Sequence, residues 1–461
     1  MKIYNSLTRQ KDKFVPINDG IVNMYVCGPT VYDFFHIGNA RPFLIFDAFR
    51  NYLEYKGYKV NYVQNFTDID DKIIDKANEE GSIAAEISER YIKEYFKDAD
   101  ALGIKRATEH PKVSEYIPQI IEFIKTLIDK GYAYVVDGNV YYSVEEFKDY
   151  GNLSKQDMES LRSGSRVQIN VDKRNPLDFI LWKSKKPGEP CWNSPWGEGR
   201  PGWHIECSVM STSILGPNFD IHAGGQDLIF PHHENEIAQS VAGTGKDYVN
   251  YWMHNGYINI DNRKMSKSKG NFFTVRDILE KYDAEVIRFF VLSAHYRSPV
   301  NFSEDLIISA KNGLDRLYNV KNNLNFLLEN ASEGPLNSEI MEKLEHYKEE
   351  FIEKMDDDFN TANGIAAIFE LVKEINIVVD HTTNKSTIEY ALSLFNELTG
   401  VLRIVTKEED TDEAIDALIA KRQKAREEKN YQLADEIRDE LDAKGIEVMD
   451  TPDGVKWRKV K

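Results

Sequence analysis

Cysteine is scarce in this chain: Cys27, Cys191 and Cys207 are the only three in 461 residues. An odd number with long gaps excludes a disulfide framework and leaves thiolate chemistry or metal binding open. Long apolar runs are missing too. No stretch approaches membrane-spanning length, and residues 1–30 hold no basic segment followed by an apolar one, so a cytoplasmic protein is expected. Positive charge is in deficit, with 76 Asp and Glu against 58 Lys and Arg for a net charge of −18. Such a chain does not coat nucleic acid non-specifically, because neutralising phosphates needs a basic footprint, although a local basic groove is compatible with it. Internal repeats and low-complexity tracts are also absent. What remains is 41% hydrophobic and too long for one core, so roughly two to four domains are expected.

The first recognisable unit is strand, glycine loop, helix, strand. Ile21 to Cys27 (IVNMYVC) is an apolar run ending in Gly28-Pro29, a buried strand entering a turn. Phe43, Phe46, Phe49, Tyr52 and Leu53 then recur at helical spacing over Ala40 to Lys56, with Gly57 as the stop, and Tyr58 to Val63 reads as a second strand. This βαβ unit predicts a parallel α/β sheet, which binds ligands at the carboxyl ends of its strands. Cys27, His36 and Thr67 fall at such ends. Helical patterns follow from Asp71 to Gly103 and from His110 to Gly131. Residues 132–200 change texture: short strands at Ala133–Val136 and Val140–Ser143 alternate with Gly and Pro clusters, which reads as an insertion in the sheet domain. Trp203–Leu215 and Tyr248–Ile260 resume the sheet and its helices. Ser303 to Thr399 is strongly helical, with Leu314, Leu317, Val320, Leu324 and Leu327 as its apolar stripe. An acidic connector, Lys407–Asp416, leads into a helical Ala417–Ala443 and a short tail, DTPDGVKWRKVK.

Three of the ten histidines lie in FDIHAGGQDLIFPHHENEIAQ, residues 219–239. Pro231 sits where a helix would begin, which puts His232 and Glu236 four apart on one face. With Cys207 from Gly202-Trp203-His204-Ile205-Glu206-Cys207 and the distant Cys27, each expected from a strand end, they form an S2NO set that selects zinc over magnesium or calcium. The competing reading is a surface helix start whose acidic residues favour the dipole.

Two further motifs suit phosphate. His36-Ile37-Gly38-Asn39 stands at the strand-to-helix turn, where Gly38 allows close approach and the free helix amides receive an anion; an ordinary histidine near a helix start is the alternative. Lys264-Met265-Ser266-Lys267-Ser268-Lys269-Gly270-Asn271 puts three lysines in six residues after a predicted strand, either an exposed basic loop or a mobile clamp over a triphosphate.

HIGN followed by KMSKS resembles the paired signatures of class I aminoacyl-tRNA synthetases. Within that class, Cys27, Cys207, His232 and Glu236, with GWHIECS and GGQDLIFPHHENE around them, are similar to the cysteinyl-tRNA synthetases, and the resemblance spans essentially the whole chain. It implies a Rossmann-like parallel-sheet catalytic domain split by an insertion, then a helical bundle and a small anticodon-binding domain. The implied boundaries are 1–111 and 201–260 for the catalytic halves, 112–200 for the insertion, 261–305 for the KMSKS-bearing segment, 306–400 for the bundle and 401–461 for the anticodon domain. Asn39 departs from the general class motif, which ends in His, but also donates to phosphate.

The resemblance further implies one Zn²⁺ per chain as the amino-acid selector, with Gly28, Thr67, Trp203 and Asp227 lining a cysteine pocket and Gly28 leaving room beside the metal. Trp203 reads equally as a core aromatic. His36, Gly38, Asn39, Lys264, Ser266, Lys267 and Ser268 would hold ATP with its Mg²⁺, and His36, Asn39, Lys264 and Lys267 would serve catalysis. L-cysteine, ATP and tRNA(Cys) are the implied partners of a monomer that needs no membrane. Lys421–Lys429 (KRQKAREEK) carries five basic and two acidic residues, a local positive patch or a solvated helix face. Next to it, Asn430-Tyr431-Gln432-Leu433-Ala434-Asp435 resembles the family's anticodon-reading helix, where Tyr431 stands in place of a frequent Trp, Asp435 reads a base edge and Trp457 adds a contact. KIIDK at 72–76 resembles a lysine motif linked in the family to pyridoxal phosphate-dependent persulfide formation; an amphipathic helix start is the preferred reading. Two rivals stand beside the synthetase: the paralogue that ligates cysteine to an amino-sugar, which lacks an anticodon domain, and a catalytically inactive tRNA- or zinc-binding protein.

Overall fold

The computed structural model describes residues 1–156, 172–260, 263–264, 273–407, 413–451 and 454–459. A short hairpin, β1 (Lys2–Asn5) and β2 (Gln10–Lys13), precedes the unit β3 (Ile21–Val26), α1 (Ile37–Tyr55) and β4 (Lys59–Gln64). β3 and β4 pair in parallel from Ile21↔Lys59 to Val26↔Gln64, the βαβ unit that the apolar periodicities predict. α1 starts three residues earlier than its periodicity suggests, because His36 caps it. The helical stretch after β4 divides at Gly81, whose φ of 65° ends α2 (Asp71–Glu80) before α3 (Ala84–Ala101). α4 is shorter than its pattern, Ile117–Asp129, with Pro118 in its first turn.

The insertion folds as an antiparallel sheet of β5 (Ala133–Val136), β6 (Asn139–Tyr142), β7 (Phe179–Ser184), β8 (Trp192–Ser194) and β9 (Gly197–Pro201), in the order β5-β6-β7-β9-β8. The chain then returns through α5 (Trp203–Leu215), β10 (Phe219–Gly225), α6 (Glu234–Thr244) and β11 (Val249–Asn255). β10 pairs in parallel with both β3 and β11, giving one four-stranded sheet in the order β11-β10-β3-β4. The two halves of the sheet wind outward from the β3/β10 boundary, the switch point at which such sheets open a ligand crevice.

Next come β12 (Ile258–Ile260), β13 (Arg263–Lys264), α7 (Val275–Leu279), α8 (Ala284–Leu292) and β14 (Val300–Phe302), with the strands in the order β13-β12-β14. Four long helices follow: α9 (Glu304–Asn330), α10 (Ser338–Asp356), α11 (Thr361–Val378) and α12 (Lys385–Leu402). The predicted stripe on α9 is its buried face, since Leu314, Leu317, Val320, Leu324 and Leu327 all pack inward. The chain ends with α13 (Glu413–Glu427), α14 (Tyr431–Ala443), β15 (Ile446–Thr451) and β16 (Gly454–Lys459). Two expectations fail here. The stretch read as one helix breaks at Lys429, whose φ is 60°, and Asn430 caps the second helix. The supposed tail is instead the second strand of an antiparallel hairpin, with Val448 opposite Trp457. Ile437, Leu441 and Ile446 form a separate small core for this unit.

Candidate active site

Four side chains converge at the β3/β10 boundary. Cys27 follows β3, and its amide donates to Ala223 of β10 at 3.2 Å. Cys207 comes from the first turns of α5 rather than from a strand end, correcting the sequence expectation. Phe230 is extended (φ −137°, ψ 132°), the conformation favoured before proline, so helical backbone begins at Pro231 as expected and runs on into α6. His232 lies in the first of these turns, four residues before Glu236, and its Nε2 lies 3.0 Å from Glu236 Oε1. Cys27 Sγ is 4.0 Å from Cys207 Sγ and 3.8 Å from Glu236 Oε1. The donor atoms of Cys27, Cys207, His232 and Glu236 all lie within 4.8 Å of one another, and all four residues are buried.

A second set, with donor atoms also within 4.8 Å of one another, shares Cys27 and Glu236 and adds His222 and His233, to which the sequence alone assigned no role. Their contacts explain their presence. His222 Nε2 lies 2.8 Å from Glu236 Oε2, and Tyr248 donates to the same oxygen at 2.9 Å, which leaves Oε1 facing the two sulfurs and His232. His233 Nε2 is 3.3 Å from Cys27 Sγ, and its other nitrogen meets His254 at 2.8 Å. Outer contacts of this kind fix the orientation of metal-binding side chains.

Charges of both signs meet in the cluster. Burial opposes ionisation of Glu236, but the His222 and His232 charges hold its carboxyl well below the usual range. Hydrogen bonding from Cys27 brings the Cys207 thiol down to about 6, while burial pushes Cys27 up. Against the pull of burial, Glu236 raises His232 to about 10. Two sulfurs, an imidazole and a carboxylate in a buried cluster fit a borderline-soft divalent cation.

Gly28, Thr67 and Trp203 adjoin residues of the cluster. Thr67, 2% exposed, follows β4 and donates to Glu206 Oε2 at 3.0 Å. Asn65 accepts from the Gly28 amide at 2.9 Å. A Cβ on Gly28 would stand 1.6 Å from the Asn65 carbonyl oxygen, so the approach of the β3 and β4 ends requires the glycine. Trp203 is 40% exposed and stacks on His232 with ring centroids 4.3 Å apart, which rules out the core-aromatic reading. Asp227 lies exposed in the turn after β10. Sequence reasoning missed Asn65, Glu206, His222, His233 and Tyr248.

His36 caps α1 with Nδ1 accepting from the Asn39 amide at 3.3 Å, and Gly38 and Asn39 are half-buried beside it. Lys264 pairs through its backbone with Asn259 of β12. Ser266, Lys267 and Ser268 lie outside the described residues. Immediately beyond them, Phe273 accepts from the Ile37 amide at 3.4 Å and Val275 donates to Phe35 at 3.1 Å, so the far flank of KMSKS meets the HIGN turn.

The profile of the class I (C) tRNA synthetase catalytic domain matches residues 13–312, the DALR domain matches 350–406 and the cysteinyl-tRNA ligase anticodon binding domain matches 408–458. A cysteine–tRNA ligase of Clostridioides difficile (strain 630) is 60% identical over 465 residues, covering 100% of both chains. The chain belongs to the cysteinyl-tRNA synthetase family. Among solved structures, a Mycobacterium tuberculosis methionyl-tRNA synthetase in complex with methionyl-adenylate superposes with a TM-score of 0.60 at 13% identity, covering 83% of this chain and 89% of that one. An Agrobacterium radiobacter K84 LeuRS in a ternary complex with tRNA gives 0.62 at 12% identity, covering 85% of each chain. These two similarities show the fold, a class I synthetase architecture. The match at 408–458 to an anticodon-binding domain sets aside the amino-sugar ligase, which lacks one.

At that end of the molecule Tyr431 opens α14 and is 62% exposed, and Asp435 is exposed four residues later on the same face. Within the basic run on α13, Arg422 is buried while Lys421, Lys424 and Arg426 are exposed. The lysines of KIIDK lie on α2, whose inward face is Ile73, Ile74 and Ala77, an amphipathic helix as preferred. No described helix is long and apolar enough to cross a membrane.

Proposed function

We propose that the chain, a cytosolic monomer, activates L-cysteine with ATP·Mg²⁺ to cysteinyl-adenylate and transfers it to the 3′-terminal ribose of tRNA(Cys). Cys27, Cys207, His232 and Glu236 would hold a zinc ion. The buried S2NO cluster at the sheet's switch point carries this reading. When bound, zinc supplies a soft acceptor that takes a thiolate and neglects the harder, far less acidic hydroxyl of serine. Sites that demand one polar partner discriminate by on the order of 10⁴, so no editing domain is needed.

The remaining work falls to the chain's own groups. Thr67, Trp203, Asp227 and Gly28 orient the amino acid so that its carboxylate attacks the α-phosphate in line. His36 and Asn39 hold the triphosphate beside the start of α1, while Lys264 and Lys267 meet the charge growing on the departing pyrophosphate and Ser266 and Ser268 complete the loop's donors. The 2′-OH of the terminal ribose then takes the cysteinyl group. Tyr431 stacks on an unpaired anticodon base, Asp435 reads an edge and Trp457 adds a contact.

The deciding experiment charges a tRNA(Cys) transcript with cysteine against serine, before and after removal of the metal. The proposal expects cysteine-dependent exchange of pyrophosphate into ATP and loss of selectivity with the metal. Retained selectivity in metal-free enzyme would overturn the selector role, and absence of exchange would favour an inactive binding protein.

A further inference from the structure

Arg41 sits on α1 five residues after His36, with its side chain fully buried. Its guanidinium donates to five backbone carbonyls: Nη1 to Gly256 at 2.5 Å and Tyr257 at 2.7 Å, Nη2 to Ser298 at 2.6 Å, Tyr296 at 3.3 Å and His295 at 3.5 Å. Burial lowers its pKa only to about 10, so the charge persists at neutral pH, with carbonyl dipoles around it in place of a counter-ion.

These carbonyls belong to two loops with one purpose in common. Residues 256–257 lead into β12 and residues 295–298 lead towards β14, and the two strands are parallel neighbours in the sheet that carries Lys264 on β13. The loops also bind each other: Gly256 donates to Tyr296 at 2.8 Å, and Val300 donates to Tyr257 at 2.9 Å. Their approach is so close that a Cβ on Gly256 would lie 2.6 Å from the Ser298 carbonyl oxygen. Beyond the KMSKS stretch, residues 273–275 bond to Phe35 and Ile37 at the start of α1. Both flanks of residues 265–272 are thereby referred to the first turns of α1, one through the Phe35–Ile37 bonds and the other through Arg41.

We propose that Arg41 is a positioning residue that sets the separation of the His36–Asn39 turn from the sheet edge carrying Lys264, and so governs the rate of adenylate formation but not the binding of cysteine. This rests on the assignment of that turn and that lysine to ATP made above. A planar fork with fixed donors spans both loops at once; a lysine ammonium, a single point of charge, does not.

The test is ATP–pyrophosphate exchange by full-length, metal-loaded Arg41→Lys, with active sites counted by the adenylate burst. The per-site kcat is expected to fall about 10²-fold, the loss that a misplacement of about 1 Å brings, with a raised KM for ATP and an unchanged KM for cysteine. Gly256→Ala, which pries the loops apart without touching α1, is expected to give the same split. Wild-type per-site constants in Arg41→Lys would overturn the proposal. So would ATP and cysteine constants that worsen in step in both variants, since general structural damage moves them together. A wild-type enzyme without cysteine-dependent exchange would instead refute the underlying function, a result distinct from either.

Discussion

His232 Nε2 lies 3.0 Å from Glu236 Oε1, with both side chains at 2% exposure or less. Without a metal this is a buried imidazolium–carboxylate pair, because Glu236 raises His232 to about 10 despite its burial. A metal takes imidazole only in its neutral form, so binding must expel that proton. His232→Ala removes a ligand and the partner of Glu236 Oε1, leaving Oε2 on His222 and Tyr248. The variant is expected to emerge from gel filtration with little zinc and, in chelator, to be about 1–3 kcal/mol less stable to urea than chelated wild type, the scale for leaving a buried acceptor without its partner. Full metal occupancy together with unchanged stability would contradict both roles.

Lys267 is separated from this cluster in purpose. If it meets charge that appears only as pyrophosphate departs, it acts on the transition state alone. Lys267→Ala should lose most of the adenylation rate, by about 10²-fold or more, while cysteine affinity barely moves. Pyrophosphate exchange kinetics equal to wild type would sink the assignment.

How far such roles can be read from sequence depends on where the partners lie. β3 and β4 were legible as short apolar runs next to turn residues, α1 by its large apolar side chains recurring at helical spacing, and His232 and Glu236 because their spacing is local. α5 was not: Ile205 through Ser211 is an unbroken run of seven buried residues, polar and apolar alike, so no stripe betrays a helix or places Cys207. His222 and Tyr248 hold Glu236 from positions 14 and 12 residues away in sequence, and Thr67 meets Glu206 across 139. Only tertiary structure pairs them. The closing hairpin did have a signal, the turn-forming Pro452-Asp453-Gly454 between Ile446, Val448 and Val455, Trp457 at alternating positions.

His110 offers a pH test remote from the metal ligands. Its Nε2 accepts from the Ala107 amide at 3.1 Å, its Nδ1 meets the Gln64 carbonyl at 2.9 Å, and its ring stacks on Phe66. Burial lowers its pKa to about 4, with the Gln64 bond opposing. A histidine depressed in the folded state binds its proton first in the unfolded chain, so stability falls as pH drops through 6.5 and levels off only below 4. Between pH 7 and 5 the loss is about 2 kcal/mol. Urea midpoints measured at the two values should therefore converge in His110→Gln. An undiminished difference would show that the histidine is not the group that titrates.

Tyr431 presents an aromatic face that is 62% exposed at the start of α14, in a unit with its own small core. Stacking on an unpaired base is worth about 1–3 kcal/mol, which is roughly a 5- to 150-fold effect on binding. Tyr431→Ala is expected to raise the KM for tRNA(Cys) by about that factor, with pyrophosphate exchange intact because adenylation precedes the tRNA step in the proposed sequence. Tyr431→Trp, with a larger ring, should lower the same KM. An alanine variant whose charging kinetics match wild type would show that this face is not where the anticodon stacks. Weakened exchange would instead mean that the damage had spread to the catalytic domain.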